Sequence, residues 1–361
     1  MRISFYGSSL VSCYWNGAAT YYRGLIRALA GRGHEVTFFE PDAFGRQEHR
    51  DMADPDWCRV VVWPATSQGM ARALERGRGA DLIVKASGVG VFDSELEAAV
   101  LELRRPGKLV AFWDVDAPAT LDRIANDPTD PFLGLIPRYD LVLTYGGGAP
   151  VVGAYEGRGA RRCVPIYNAL DPLTHFPVPA DPRFAGELGF LGNRLPDRET
   201  RVEEFFLAAA RARPESIFLL GGAGWGDQAL PPNVRYLGHV GTAEHNAFNA
   251  TPRAVLNVNR ASMAAYGFSP PTRVFEAAGA GACLITDAWE GIERFLEPGR
   301  EVLVAASGPE VVAHLDRLSA QSARAIGAAA RARVLAEHTY DQRAVEVERV
   351  LAGLDPKEAA A

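Results

Sequence analysis

The sequence lacks the features that mark membrane-spanning, disulfide-bonded and zinc-binding proteins. Its 361 residues contain no apolar run that approaches the ~18–20 residues needed to cross a bilayer. The four cysteines, Cys13, Cys58, Cys163 and Cys283, have no paired spacing, and no H-E-x-x-H or clustered His/Cys pattern is present. We therefore expect free thiols, no transmembrane segment and no metal site.

The chain has no excess of positive charge either. The net charge is −6, with 48% hydrophobic and 23% charged residues, which is ordinary for a soluble globular protein and gives no basic footprint for nucleic acid. The first residues, MRISFYGSS, lack the long apolar core and cleavage site of a secretory signal. These observations predict a cytoplasmic protein without a nucleic-acid partner.

The length and the order of elements predict two α/β domains. Domains have about 150 residues on average, so a chain of this length is expected to have two domains. In the first half, short apolar runs at 3–6, 60–63, 82–85, 109–113 and 141–144 alternate with helical stretches at 68–76, 94–103 and 118–126. Such alternation predicts a mostly parallel sheet, with ligands bound beyond the carboxyl ends of the strands.

A helix, turn and strand are predicted within the stretch 266–305, YGFSPPTRVFEAAGAGACLITDAWEGIERFLEPGREVLVA. Ser269 before Pro270 predicts a helix that begins near Pro270, because serine accepts from first-turn amides and proline suits the first helical position. The exposed amides and positive dipole of this turn, beside Thr272 and Arg273, predict a diphosphate site. Helical spacing places Glu276 on the same side.

The segments SPPTRVFEAAGAGACLITD and EPGREVLVA resemble the donor-binding motif of GT-B glycosyltransferases, most closely the group-1 and spore-maturation CgeB-like branch. The resemblance implies that Glu276 binds the ribose hydroxyls of the donor nucleotide and that the helix start at Ser269 faces its phosphates. Retaining members usually carry a glutamate eight positions earlier, where this chain has Phe268. The alternative is a helix that only packs, with Glu276 in solvent.

The resemblance implies further donor contacts in other loops. Asn193 and Arg194 follow the strand 188–191 on the diphosphate side, and Gly238 and His239 form the turn that meets the donor base. Apart from the resemblance, Arg260 follows the predicted strand 254–258 and is a candidate for a second phosphate ligand. In the amino-terminal loop, Asn16 and Gly17 approach the donor phosphates or the acceptor. The alternatives are ordinary turns and solvated arginines.

Two carboxylates follow the predicted strand 109–113. Asp114 and Asp116 are candidates for the base that takes the proton of an acceptor hydroxyl as the new bond forms. Asp116 also precedes a helix near Pro118, so capping of that helix is an equal alternative. We do not interpret the Asp-x-Asp pattern as a metal motif, because GT-B enzymes stabilise the leaving diphosphate with a helix dipole and basic side chains.

The sequence thus predicts a GT-B fold, with two Rossmann-like doubly wound parallel-sheet domains facing a cleft and a C-terminal helix crossing back. The predicted domains are 1–170 on the acceptor side, 184–337 for the nucleotide sugar, and 338–361 for the final helix. The predicted function is metal-independent transfer of a sugar from a UDP-, GDP- or dTDP-sugar to a hydroxyl or amine of a glycan, lipid, small molecule or protein, with no further cofactor. The alternatives are a nucleotide-sugar epimerase of the same fold and a non-catalytic nucleotide-sugar-binding protein, which Phe268 favours.

Overall fold

The computed structural model describes residues 1–14 and 16–353, which form two compact units. Unit 1 comprises Met1–Asn168 together with the described residues from Tyr340 onward, and unit 2 comprises Ala169–Thr339. The stretch 171–183, which lies between the first two predicted domains, is therefore part of unit 2. Residues 354–361 of the predicted final segment lie outside the described residues. Within the described part, no helix has the length and apolar character required to cross a membrane.

Unit 1 is built on a seven-stranded parallel sheet. Its strands are β1 Arg2–Tyr6, β2 Glu35–Asp42, β3 Arg59–Pro64, β4 Leu82–Ala86, β5 Leu109–Asp114, β6 Leu141–Thr144 and β7 Cys163–Pro165. The strand order is β3-β2-β1-β4-β5-β6-β7, and every neighbouring pair is parallel. The order reverses at β1, which is the position where doubly wound sheets open a crevice.

Helices connect these strands and cover the sheet. They are α1 Ala19–Gly31, α2 Ser67–Gly77, α3 Asp93–Ala99, α4 Ala117–Asn126, α5 Phe132–Leu135 and α6 Gly148–Glu156. The core beneath α1 is aromatic: the Phe5 ring stacks on Phe38 and meets Tyr22 edge-on, each with centroids 5.3 Å apart. The sequence analysis did not predict α5 and α6, which are short and follow glycine- and proline-containing stretches.

Unit 2 is built on a second parallel sheet, of six strands. The strands are β8 Leu188–Leu191, β9 Phe218–Gly221, β10 Val234–Gly238, β11 Ala254–Asn257, β12 Leu284–Asp287 and β13 Leu303–Ala305. Their order is β10-β9-β8-β11-β12-β13, again with all neighbours parallel. Because the strands are parallel, their carboxyl ends all lie at one edge of the sheet.

The helices of unit 2 are α7 Pro196–Val202, α8 Ala208–Ala212, α9 His245–Ala250, α10 Ala261–Tyr266, α11 Thr272–Gly279, α12 Gly308–Arg317 and α13 Ala320–Glu337. A π-helical turn, Glu203–Leu207, joins α7 to α8, so the three form one continuous helical stretch. Helix α11 packs closely on α13 near Gly327, where a Cβ atom would lie 2.0 Å from the carbonyl oxygen of Gly281.

The last described helix, α14 Tyr340–Leu351, belongs to unit 1. It packs on α1, where Gly24 allows close approach: a Cβ atom there would lie 2.1 Å from Cδ2 of Tyr340. At the other side of the Tyr340 ring, Tyr21 makes an edge contact with centroids 5.9 Å apart. This is the helix that the sequence analysis predicts to return to the amino-terminal domain.

Candidate functional site

The loops at the carboxyl edge of the unit 2 sheet are joined to one another by backbone hydrogen bonds. Arg194 N donates to Ala223 O at 2.9 Å, and Gly222 N donates to Gly238 O at 2.7 Å. The side chain of Asn193 adds a third link, because its Oδ1 accepts from Ala223 N at 2.9 Å. Asn193, Arg194 and Gly238, which the resemblance assigns to the donor, therefore lie on one connected set of loops.

The segment before α11 differs from its prediction. The helix begins at Thr272 rather than Pro270, its N-cap is Pro271, and Ser269 does not cap it. Instead, the buried Ser269 hydroxyl donates to Gly267 O at 2.9 Å. The cause is the preceding turn, in which Gly267 and Phe268 adopt positive φ values of 69° and 45° and Phe268 N donates to Glu290 O at 2.6 Å. This turn directs the Ser269 side chain backwards, away from the helix.

Glu276 is buried on α11, not solvated as the packing alternative assumed. Its carboxylate oxygen Oε2 lies 3.3 Å from Nη1 of Arg273, and Thr272 donates a hydrogen bond to it. Burial raises the pKa of Glu276, but the charge of Arg273, the nearby histidines and the Thr272 hydrogen bond outweigh burial, so the pKa lies below its ordinary value. Glu276 is therefore an ionised carboxylate at neutral pH, held by the first two residues of its own helix.

Two histidines complete the surroundings of Glu276. One nitrogen of His175, one nitrogen of His245 and one oxygen of Glu276 lie within 4.8 Å of one another. Burial lowers the pKa of His175, and burial together with Arg273 lowers the pKa of His245 to about 4, so both imidazoles are neutral at pH 7. These three residues are far apart in the sequence, and no spacing rule could have grouped them.

The arginines predicted to bind phosphate are held by carboxylates of the same unit. Arg194 pairs with Glu199 at 2.7 Å and with Asp227 at 3.0 Å. Arg260 Nε pairs with Asp197 at 2.6 Å. Both arginines are thus fixed at the edge of the sheet. A phosphate that reached them would replace these partly exposed carboxylates as their partner.

A buried polar network that the sequence analysis missed joins β11 to β12. The fully buried Asp287 carboxylate accepts from Asn259 N at 3.1 Å and from Arg201 Nη2 at 2.6 Å. Asn257 Nδ2 donates to Thr286 Oγ1 at 3.0 Å and to Asn259 Oδ1 at 3.1 Å. Burial outweighs these hydrogen bonds and the Arg201 charge, so the pKa of Asp287 is raised. The network holds the backbone at Asn259, the residue directly before Arg260.

Gly238 is the last residue of β10, and His239 follows it. Gly238 has a φ of 67°, which favours glycine, and there is open space where a side chain would be. The His239 side chain is exposed. The backbone at this turn is therefore accessible, which a base recognised through backbone groups requires.

In unit 1, Asp114 and Asp116 have different surroundings. Asp114 is fully buried, and its carboxylate accepts hydrogen bonds from Ser87 Oγ, Thr120 Oγ1, Asp116 N and Tyr155 Oη. Burial raises its pKa. Four donors and no exposure favour a structural role for Asp114, in which it holds the end of β5.

Asp116 is half-buried and stands at the N-cap position of α4, directly after β5. Its side chain makes no capping hydrogen bond to the first turn of that helix. The capping alternative therefore loses its physical basis, because a cap stabilises a helix through that hydrogen bond. Asp116 is the better candidate of the two for contact with a ligand.

Asn16 and Gly17 lie in the loop between β1 and α1. Asn16 is buried, its Oδ1 accepts from Ser8 Oγ at 2.9 Å, and its Nδ2 donates to Ser9 O at 2.8 Å and Ser12 O at 3.0 Å. Gly17 is exposed, with open space around it. This arrangement favours Asn16 as the residue that shapes the loop and Gly17 as the residue that leaves room for a ligand.

Comparisons with known proteins agree with this architecture. Residues 198–349 match the model of a family described as glycosyl transferase-like. No curated protein matches the chain significantly in sequence. The solved HepE of Anabaena in complex with UDP-glucose superposes with a TM-score of 0.67 at 15% identity, over 98% of this chain and 100% of its own. Sucrose-phosphate synthase from Thermosynechococcus elongatus gives a TM-score of 0.70 at 16% identity, over 100% of both chains.

The fold is GT-B. A glycosyltransferase involved in avilamycin A biosynthesis is a third structural relative, with a TM-score of 0.61, 18% identity and 98% of each chain covered. At these identities the likeness concerns the fold, which confirms the predicted fold class. The family match adds support for a group-1-like GT-B glycosyltransferase, and it covers α11 and the Asp287 network.

The Arg201–Asp287 pair gives a first test of this site. In Arg201→Met the buried Asp287 carboxylate loses its countercharge, and we expect the free energy of unfolding to fall by up to about 3–5 kcal/mol. Adding Asp287→Asn should recover part of this loss, because a neutral amide needs no countercharge. Denaturant titration followed by circular dichroism measures both.

The matched control for that pair is Arg211→Met, which removes an exposed pair with Glu203 from the same continuous helical stretch. We expect a change of about 0–1 kcal/mol, as is usual for surface pairs. Equal losses in Arg201→Met and Arg211→Met would show that Asp287 does not depend on Arg201.

Proposed function

We propose that this protein transfers a sugar from a nucleoside diphosphate sugar to a hydroxyl or amine acceptor. The observation that carries the proposal is the ionised, buried Glu276, held by Thr272 and Arg273 at the start of α11 within the family-matched segment. An ionised carboxylate beside free first-turn amides suits a ligand with two vicinal hydroxyls and adjacent phosphates. A nucleoside diphosphate has both.

The donor assignment follows from that placement. We assign the ribose to Glu276, the diphosphate to the α11 start with Thr272, Arg273, Arg194 and Arg260, and the base to the Gly238–His239 backbone. Arginine suits the diphosphate because its guanidinium donates several hydrogen bonds in a fixed geometry. We propose UDP as the nucleotide, since HepE of Anabaena was solved with UDP and with UDP-glucose.

The motif around Thr272 to Glu276 supports our proposal of a CgeB-like member, and the lack of a disulfide among the described cysteines supports the cytoplasm as its compartment. The proposed acceptor side is unit 1. Because the family glutamate is replaced by Phe268, the donor sugar is held without that carboxylate.

In the proposed reaction, the bond between the anomeric carbon and the diphosphate oxygen breaks, and a bond forms between that carbon and the acceptor oxygen or nitrogen. Asp116 takes the acceptor proton as this bond forms. Charge that develops on the leaving diphosphate is stabilised by the α11 amides and the arginines, so the proposed transfer itself is metal-independent.

A thermal-shift panel of UDP, GDP and dTDP and their glucose conjugates tests the proposal. A donor at ~100 times its dissociation constant should stabilise the protein by roughly 2.7 kcal/mol. Slow release of free nucleotide from the stabilising sugar donor identifies a transferase. Formation of a free epimer would instead identify an epimerase, and binding without any turnover would identify a nucleotide-sugar-binding protein. Stabilisation by none of the panel would contradict the proposal.

Glu276→Ala should abolish the preference for a ribonucleotide over its 2′-deoxy analogue. The lost hydrogen bonds to a charged acceptor are each worth about 1.5–3 kcal/mol. Glu276→Gln should be milder, because the amide keeps one uncharged acceptor. Calorimetric titration with the nucleoside diphosphate and its 2′-deoxy analogue measures the ratio, and the exposed Glu293→Ala serves as control. If Glu276→Ala keeps the full wild-type preference, the ribose assignment is wrong.

Asp116→Asn should retain donor binding while the rate of transfer falls by about 10²–10⁴-fold, the contribution of a general base. The amide has a similar shape but cannot accept the proton. Initial rates with the donor selected by the panel measure the effect. Asp122→Asn, an exposed position on the same helix, should keep the wild-type rate. Intact turnover in Asp116→Asn would remove Asp116 from the mechanism.

A further inference from the structure

Three ionisable groups from three separate elements of unit 2 converge beside α11. His175 comes from the irregular stretch before β8, His245 is the first residue of α9, and Glu276 lies on α11. One ligand atom of each lies within 4.8 Å of the others. The donor assignment uses only Glu276, so the two histidines have no part in it.

Thr174 holds one nitrogen of His175. The Thr174 hydroxyl oxygen lies 2.9 Å from Nδ1 of His175 and 3.2 Å from Asp171 O. When Nδ1 donates to this hydroxyl, the lone pair of the neutral imidazole is on Nε2.

The second histidine also has a protein partner. A hydrogen bond with the backbone of Val240 raises the pKa of His245 against the effect of burial, as expected where a ring nitrogen donates. Each imidazole thus has a protein group beside one ring nitrogen. Metal-ligating histidines commonly have their second nitrogen held in this way.

Arg273 is a further neighbour of the cluster. Its Nη1 lies 3.3 Å from Glu276 Oε2, and neither Nη1 nor Nε forms a hydrogen bond within the part of the chain that the structure describes. The guanidinium therefore supplies charge to the carboxylate. Two imidazole nitrogens and an ionised carboxylate oxygen within 4.8 Å of one another suit a cation that stands between them.

We infer that His175, His245 and Glu276 form a binding site for one divalent cation of the zinc class in the donor-free protein. Two imidazole nitrogens and one carboxylate oxygen are a known zinc donor set, and magnesium by contrast prefers oxygen ligands. Zinc bonds of ~2.0–2.2 Å draw the three ligand atoms slightly together. The ion joins the stretch around His175 to α9 and α11, and it is not part of the transfer step.

Titration of the metal-stripped, untagged full-length chain with ZnCl₂ tests the site by calorimetry, with no nucleotide present. The wild type should bind one equivalent, whereas MgCl₂ should give no binding. His175→Ala, His245→Ala and Glu276→Gln should each weaken zinc binding by more than about 10–100-fold, which is the usual cost of losing a residue that only supports a ligand. Exposed His49→Ala, in unit 1, should bind zinc as the wild type does.

Two further variants keep all three ligands and separate the site from a general loss of structure. Thr174→Val removes the hydroxyl beside His175 Nδ1, and we expect zinc affinity to fall by about 10–100-fold. Arg273→Ala removes a neighbouring positive charge, so zinc should bind more tightly, whereas the proposed donor should bind more weakly. Absence of stoichiometric zinc binding in the wild type, or wild-type affinity in all ligand variants, would overturn the site and would leave the proposed transfer reaction untouched.

Discussion

Parallel pairing is the constraint on which the rest of this structure depends. In each unit every strand runs in the same direction, so the loops that follow the strands gather at a single edge of the sheet. In unit 2 that edge holds Arg194, Arg260 and the turn before α11, although 73 residues separate Arg194 from Gly267 in the chain. The connecting helices need only return the chain to the opposite edge, and their lengths vary accordingly.

Two buried carboxylates of unit 2 illustrate how the surroundings decide what such a group can do. Asp287 is surrounded by donors of the β11–β12 turn and by Arg201, but burial dominates and its pKa is raised. Around Glu276 the charge of Arg273, the histidines and Thr272 outweigh burial, and its pKa is lowered. Asp287 therefore serves to fix the backbone, whereas Glu276 stays ionised and is ready to accept hydrogen bonds from a ligand or to bind a cation.

The same contrast separates the two aspartates of unit 1. Asp114 and Asp116 are equally plausible bases in the sequence, because both follow a strand and precede a helix. Packing distinguishes them: the hydroxyls of Ser87, Thr120 and Tyr155 surround Asp114, and only Asp116 keeps a partly exposed carboxylate without a capping hydrogen bond. Thr120 is near the aspartates in sequence, whereas Ser87 lies 27 residues before Asp114 and Tyr155 lies 41 residues after it.

The sequence alone determined the alternation of strands and helices, because hydrophobic periodicity and turn residues act over short distances. The GT-B architecture and the motif around Glu276 followed from the resemblance of the sequence to a known family. The sequence analysis misplaced the start of α11, since the left-handed turn at Phe268 depends on a contact with Glu290. Only the tertiary structure decided the Arg201–Asp287 pair and the meeting of His175, His245 and Glu276. Such groupings follow from how the elements of a unit pack together, and no local pattern in the chain encodes that.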